Sequence, residues 1–245
     1  MVLLEICIDS FPSAKNAFNG GADRLEVCGA LALGGLTPTS GLLKQIKASF
    51  PEFPCFCMLR PRGGVFVYSK AEIETLLRDC DELKSAGADG FVFGALNSDG
   101  TLDVETCKLV LAACSPLPVT LHRAFDYCSD WKTSLALAVE MGFKAVLSSG
   151  QRATAVQGID ILSQMISAYP QITVIAGSGI NPENAKEILR NLPLLGGIHG
   201  SASVKIPSKF GYVASDFRMG SNDYSDHTKE TCEHTVAKLA KAAHL

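Results

Sequence analysis

The fold class this sequence predicts is α/β, a single-domain (β/α)8 barrel of the TIM type spanning residues 1–245. Three observations predict it. The chain has 245 residues, close to the roughly 250 of one eight-stranded barrel. Eight short β-type runs alternate with eight helical runs, and strict alternation implies parallel strands joined by right-handed crossovers. The corners also repeat: glycine enters the even strands, at Gly21, Gly87, Gly142 and Gly196, while proline enters later odd strands, at Pro54, Pro118 and Pro170. Glycine suits the end of a helix, and proline the first residue of a strand. Four such units close naturally into a barrel. An open doubly wound sheet is the alternative, but no Gly-x-Gly-x-x-Gly follows the first strand.

The elements follow in order. A strand at Leu3–Asp9 leads to a helix at Pro12–Asn19, and the Gly21 corner delivers the second strand, Arg24–Cys28. A helix at Thr39–Phe50 ends before Pro54, which opens the third strand, Pro54–Arg60. Helix Lys70–Ala86 and the Gly87 corner precede strand Gly90–Ala95, and helix Val104–Cys114 with Pro118 precedes strand Val119–Arg123. Helix Trp131–Met141 turns at Gly142 into strand Ala145–Ser149, followed by helix Thr154–Ala168 and strand Ile172–Gly177. Asn181 and Pro182 form an N-cap and first-turn pair for helix Pro182–Arg190. Strand Gly197–Ser201 and helix Asp226–Ala243 close the series. Two long loops, Pro61–Ser69 and Ala202–Ser225, leave C-terminal strand ends, the face where barrel active sites assemble.

Composition excludes several functions. Lys and Arg number 22 against 25 Asp and Glu, interspersed, for a net charge of −3. No basic stripe points to nucleic acid, and no apolar run approaches the roughly 20 residues of a membrane span. The opening Met1-Val-Leu-Leu-Glu-Ile lacks a charged region ahead of an apolar one, so no signal peptide is expected. The cytoplasm is the expected compartment. Nine cysteines at irregular spacing make a poor disulfide framework. Cys55, Cys57, Cys80, Cys107 and Cys114 read as buried free thiols, with Cys55 and Cys57 on the outer face beneath helices.

The chemistry concentrates at strand ends. Cys7 and Cys28 occupy matching places in the first two strands, each two residues after a glutamate, Glu5 and Glu26. Residues i and i+2 share a face, so two thiols are expected to converge at one end of the sheet, within reach of one soft metal ion. Two thiolates favour Cu(I); zinc wants four ligands, and no Cys-x-x-Cys supplies them. Glu5 and Glu26, mid-strand in apolar company, need partners, available in Arg24, Arg60, Arg62 and Arg123. His122 is expected to point inward as base, metal ligand or fixture, with Asp126 orienting its ring. His199 adds a second imidazole. Glu5, Glu26, Arg60, His122 and Arg123 are candidate catalytic residues for acid–base chemistry. Arg60 and Arg62, with Gly177, Ser178, Gly179, Gly200 and Ser201, are candidates for binding an anion. With no lysine at a strand tip and no nucleotide fingerprint, no organic cofactor is expected.

The motifs Glu5-Ile-Cys-Ile-Asp-Ser10, Gly20-Gly-Ala-Asp-Arg-Leu-Glu-Val-Cys28, Gly34-Gly-Leu-Thr-Pro-Thr39, Leu59-Arg-Pro-Arg-Gly-Gly64, Gly87-Ala-Asp-Gly-Phe-Val-Phe-Gly-Ala95 and Pro118-Val-Thr-Leu-His-Arg-Ala-Phe-Asp126 closely resemble, in that order, the CutC copper homeostasis family. The match continues through Ser148-Ser-Gly150, Ala176-Gly-Ser-Gly-Ile180 and His199-Gly-Ser-Ala202. The resemblance implies a barrel, a homo-oligomer (dimer or tetramer) in the cytoplasm or also the nucleus, and copper handling through Cys7 and Cys28, with His122 and His199 as auxiliaries. It implies no established reaction. Family members often carry cysteine near His199, so this chain keeps two thiols and adds an imidazole. The alternative expectation is a barrel enzyme acting on a small anionic or phosphorylated substrate.

Overall fold

The computed structural model describes residues 2–207 and 227–244. Eight parallel strands close into a barrel in sequence order: β1 (Leu3–Ile8), β2 (Arg24–Val27), β3 (Cys55–Met58), β4 (Gly90–Phe93), β5 (Val119–Leu121), β6 (Ala145–Ser148), β7 (Thr173–Ala176) and β8 (Gly197–Gly200). The ring is sealed by pairing of β8 with β1, Glu5 standing opposite His199. Helices α1 (Phe11–Asn19), α2 (Ser40–Ser49), α3 (Lys70–Ser85), α4 (Val104–Cys114), α5 (Trp131–Met141), α6 (Ile159–Ala168) and α7 (Ala185–Asn191) follow successive strands, and α8 (Glu233–Ala243) follows a two-stranded ribbon, β9 (Ser203–Pro207) with β10 (His227–Thr231). Polar caps fix several helix starts: Ser10, Thr39, Asp103 and Asp130 each accept a backbone N–H, and Ser69 with Glu72 forms a full capping box.

Alternation sorts each strand into two faces. Leu4, Ile6, Ile8, Cys55 and Cys57 join the outer core with helix residues such as Leu43, Ile46, Leu76 and Cys80. The inward residues form two smaller apolar groups, Cys28, Phe56, Met58 and Val92 on one side, and Ala145, Leu147 and Ile175 with Leu3 on the other. Between them, at the β8–β1–β2 junction, the interior is polar. The five expected buried cysteines are buried and free. Gly21, Gly87 and Gly142 take positive φ at the corners, a geometry that favours glycine.

Three local expectations are corrected. Helix α6 begins at Ile159 rather than Thr154, because Gly158 packs its backbone against Ser149: a Cβ there would sit 1.8 Å from the Ser149 carbonyl oxygen. Helix α7 begins at Ala185, one turn after Pro182. The Asn181 side chain still caps that preceding turn, accepting the N–H groups of Glu183 and Asn184. The stretch 227–231, expected as helix, is strand β10, held to α1 by Asn16, whose amide donates to Glu230 and to the Thr231 carbonyl. Most of the long loop expected after the eighth strand lies outside the described residues.

Candidate metal centre and barrel mouth

The closing junction brings Cys7, Glu26 and His199 together, with one donor atom of each lying within 4.8 Å of the others. Register explains the grouping. Cys7 stands opposite Glu26 on β2, and Glu5 opposite both Arg24 and His199. The two thiols, expected to converge at one end of the sheet, both lie toward that end but at different levels. Strands in a closed barrel are staggered, and Cys28 lies one inward step beyond the level of Cys7. It is fully buried and donates its S–H to Glu26 Oε2 at 3.4 Å, while half-buried Cys7 lines the open cavity.

Glu5 organises the layer beneath. Its Oε2 accepts from Arg24 Nε at 2.7 Å and its Oε1 pairs with His199 Nδ1 at 2.8 Å. Burial would raise this carboxyl, but Arg24 and then His199 outweigh it and hold Glu5 below the usual value. Burial pushes Glu26 up, opposed by His199 and reinforced by Glu5. For His199, burial works to lower the imidazole, yet Glu26, Cys7 and Glu5 together hold it well above its ordinary value. The Cys28 thiol is pushed well up by burial, with the charges of Glu26 and Cys7 adding to it. With Nδ1 engaged by Glu5, His199 turns Nε2 toward Glu26, 3.8 Å from its Oε2. A carboxylate holding one ring nitrogen while the other faces a metal is the usual support of a metal-binding histidine. Glu26 Oε1 is buried without a partner.

Above this junction a cavity of about 860 Å³ opens at the C-terminal ends of the strands. Arg60, His122, Arg123, Ser178, Gly179, Gly200 and Ser201 all line it. Strand β5 stops at Leu121, and His122 caps a 3-10 turn over Arg123–Tyr127, so both His122 and Arg123 reach the mouth despite opposite strand parity. Asp126 does not orient His122. It binds Arg123 Nε at 2.7 Å and the hydroxyls of Ser148 and Ser149, fixing the arginine instead. Arg62 is spent elsewhere, pairing with Glu72 and donating to the carbonyls of Val65 and Val67, and Gly177 does not line the cavity. Neither Arg60 nor Arg62 neutralises the buried glutamates; Arg24 and His199 do. Among the described residues, four that are not glycine take positive φ, Ala30, Gln151, Ser178 and Ala202. All follow C-terminal strand ends, where strained backbone is kept for function. Phe66 is a functional residue that no sequence motif marks: it is one of two aromatics, with Tyr68, in the long loop after the third strand. Its ring lies 4.9 Å from that of His122 and 4.9 Å from the Arg60 guanidinium carbon.

Comparison with known proteins gives a consistent result. The CutC family profile matches residues 2–204. A copper homeostasis protein cutC homolog of Caenorhabditis elegans is 48% identical over 189 residues, 77% of this chain and 76% of its own. The corresponding protein of Mus musculus is 41% identical over 98% of this chain and 88% of its own. The crystal structure of a CutC protein from Streptococcus agalactiae superposes with a TM-score of 0.78 at 29% identity, covering 82% of this chain and 99% of that one.

Proposed function

The chain belongs to the CutC family, and on that premise we propose that it handles copper, holding Cu(I) at the β8–β1–β2 junction. The observation that carries this reading is the trio of Cys7, Glu26 and His199 with donor atoms within 4.8 Å, next to a second thiol on Cys28. Cu(I) selects soft thiolate ligands and accepts low coordination numbers. We assign Cys7, Cys28 and the Nε2 of His199 as its ligands. Thiols and imidazole must lose protons to bind a metal. Glu26 already accepts the hydrogen bond of the Cys28 S–H at 3.4 Å and its Oε1 has no partner, so it serves as the local proton acceptor. Glu5 fixes the His199 ring from behind. His122, whose Nδ1 accepts the Ala124 N–H and whose ring packs on Phe66, is left out of the ligand set.

We take residues 1–245 as one barrel domain working as a homo-oligomer in the cytoplasm, as the resemblance implies. Among the described residues no helix is long and apolar enough to cross a membrane. Zn(II) also uses cysteine, histidine and carboxylate together, so it is the natural competitor. The test is a Cu(I) titration against a competing chelator, repeated with Zn(II) present, on the wild type and on the double variant Cys7→Ser, Cys28→Ser. Losing both thiols should cost at least the upper end of the roughly 10–100-fold that changes behind a ligand cost. Equal affinity and stoichiometry in the two proteins would end this reading.

A further inference from the structure

The proposed copper ligands lie on the β8–β1–β2 side of the mouth, yet the cavity continues to β3 and β5, where hydrogen-bond donors are in surplus. Arg60 is buried with no carboxylate partner among the described residues. Its terminal nitrogens donate to three carbonyls, of Leu33, Gly35 and Gly64, and its buried Nε–H has no acceptor. His122 is equally buried. Its Nδ1 accepts the Ala124 N–H at 3.2 Å, so in the neutral ring the proton sits on Nε2, and that buried N–H also lacks an acceptor. Carbonyl oxygens solvate a guanidinium without cancelling its charge. A buried cation without a counter-charge and two buried, orphaned N–H groups, on side chains that line one cavity, are the reverse of what a closed core tolerates.

We infer that this side of the mouth is a binding subsite for the carboxylate or phosphate group of a small organic anion, with Arg60 supplying the charge and His122 a neutral N–H donor. Phe66 spans the two side chains, and its loop is pinned by the Leu96 N–H donating to the Phe66 carbonyl at 2.9 Å. Burial, then the Arg60 charge, hold His122 down to about 3, which keeps the ring neutral. Arg123, fixed by Asp126, adds a second guanidinium to the lining. Met58, Leu147 and Ile180 supply apolar wall, and about 860 Å³ is room for an organic ligand rather than a bare ion. The subsite is independent of the copper reading, since none of its donors is a copper ligand.

The test titrates the metal-free chain with inorganic phosphate, glycerol phosphate and malonate at constant ionic strength, with chloride as control. Calorimetry and the thermal midpoint report binding. Saturable binding of at least one probe beyond the chloride control is expected. Preference for the phosphates assigns a phosphate subsite, and preference for malonate a carboxylate subsite. Arg60→Gln removes the charge but also releases three loop carbonyls, so His122→Asn is the deciding variant. Its side-chain oxygen can still cap the Ala124 N–H, while the Nε2–H is gone. It should keep the unliganded midpoint and the Cu(I) affinity of the wild type and bind the anion about tenfold more weakly. No saturable binding with any probe, equal binding in wild type and His122→Asn, or loss of Cu(I) affinity in His122→Asn would overturn the inference.

Discussion

Glu5 shows how much a single buried side chain is asked to do. It neutralises Arg24, orients His199 and is 1% exposed. Glu5→Gln keeps the shape and removes the charge. Copper affinity should fall about 10–100-fold, the usual effect of changing the group behind a metal-binding histidine. Stability should fall too, by up to about 3–5 kcal/mol, because Arg24, half-buried, is left without its counter-charge. Competitive Cu(I) titration and urea unfolding read the two effects separately. His122 makes a different prediction. Its folded value of about 3 lies below the ordinary value of about 6.5, so the unfolded chain binds the extra proton first. The stability that His122 contributes is complete above about pH 6.5 and is lost as pH falls toward 3, a change of a few kcal/mol in order of magnitude. In His122→Asn that part of the acid destabilisation should vanish, so its urea midpoint, equal to that of the wild type at pH 7, should rise above it as pH falls toward 4. Parallel curves would contradict it.

At the scale of elements, the strand-to-helix turns carry the precision. Gly158 lies against the Ser149 carbonyl, and the Ser149 backbone N–H and hydroxyl hold Asp126, which holds Arg123. Gly158→Ala should therefore cost about 1–3 kcal/mol through backbone overpacking and weaken anion binding, both measurable by urea unfolding and calorimetry. A neutral effect would mean the turn is looser than drawn. These same turns were the least legible part of the sequence. Alternation in Leu4-Glu-Ile-Cys-Ile predicted correctly that Glu5 and Cys7 share the inner face, and the Gly21, Gly87 and Gly142 corners marked the strand entries. Nothing in the local pattern showed that β5 would stop at Leu121, yet that stop is what brings both His122 and Arg123 to the mouth. The threonines of 227–231 favour strand, a preference the helical reading of that stretch overlooked.

For the whole molecule, closure decides the site. Sequence alone brought Cys7 and Cys28 to neighbouring strands, but the partnership of Glu5 with His199 crosses 194 positions of sequence and exists only because β8 seals against β1. Stagger then set Cys7 level with Glu26 rather than with Cys28. Neither fact is local, so neither was readable before the barrel was built. The closed ring gathers Glu5, Arg24, Glu26 and His199 at one junction, and our two proposals place copper there and an organic anion at a separate part of the same mouth. X-ray absorption at the copper edge of the Cu(I)-loaded protein tests the copper site most directly. We expect sulfur from two cysteines and a single imidazole around the ion, with one sulfur lost in Cys7→Ser and the imidazole signature lost in His199→Phe. A copper shell of nitrogen and oxygen alone, or one unchanged in both variants, would contradict it.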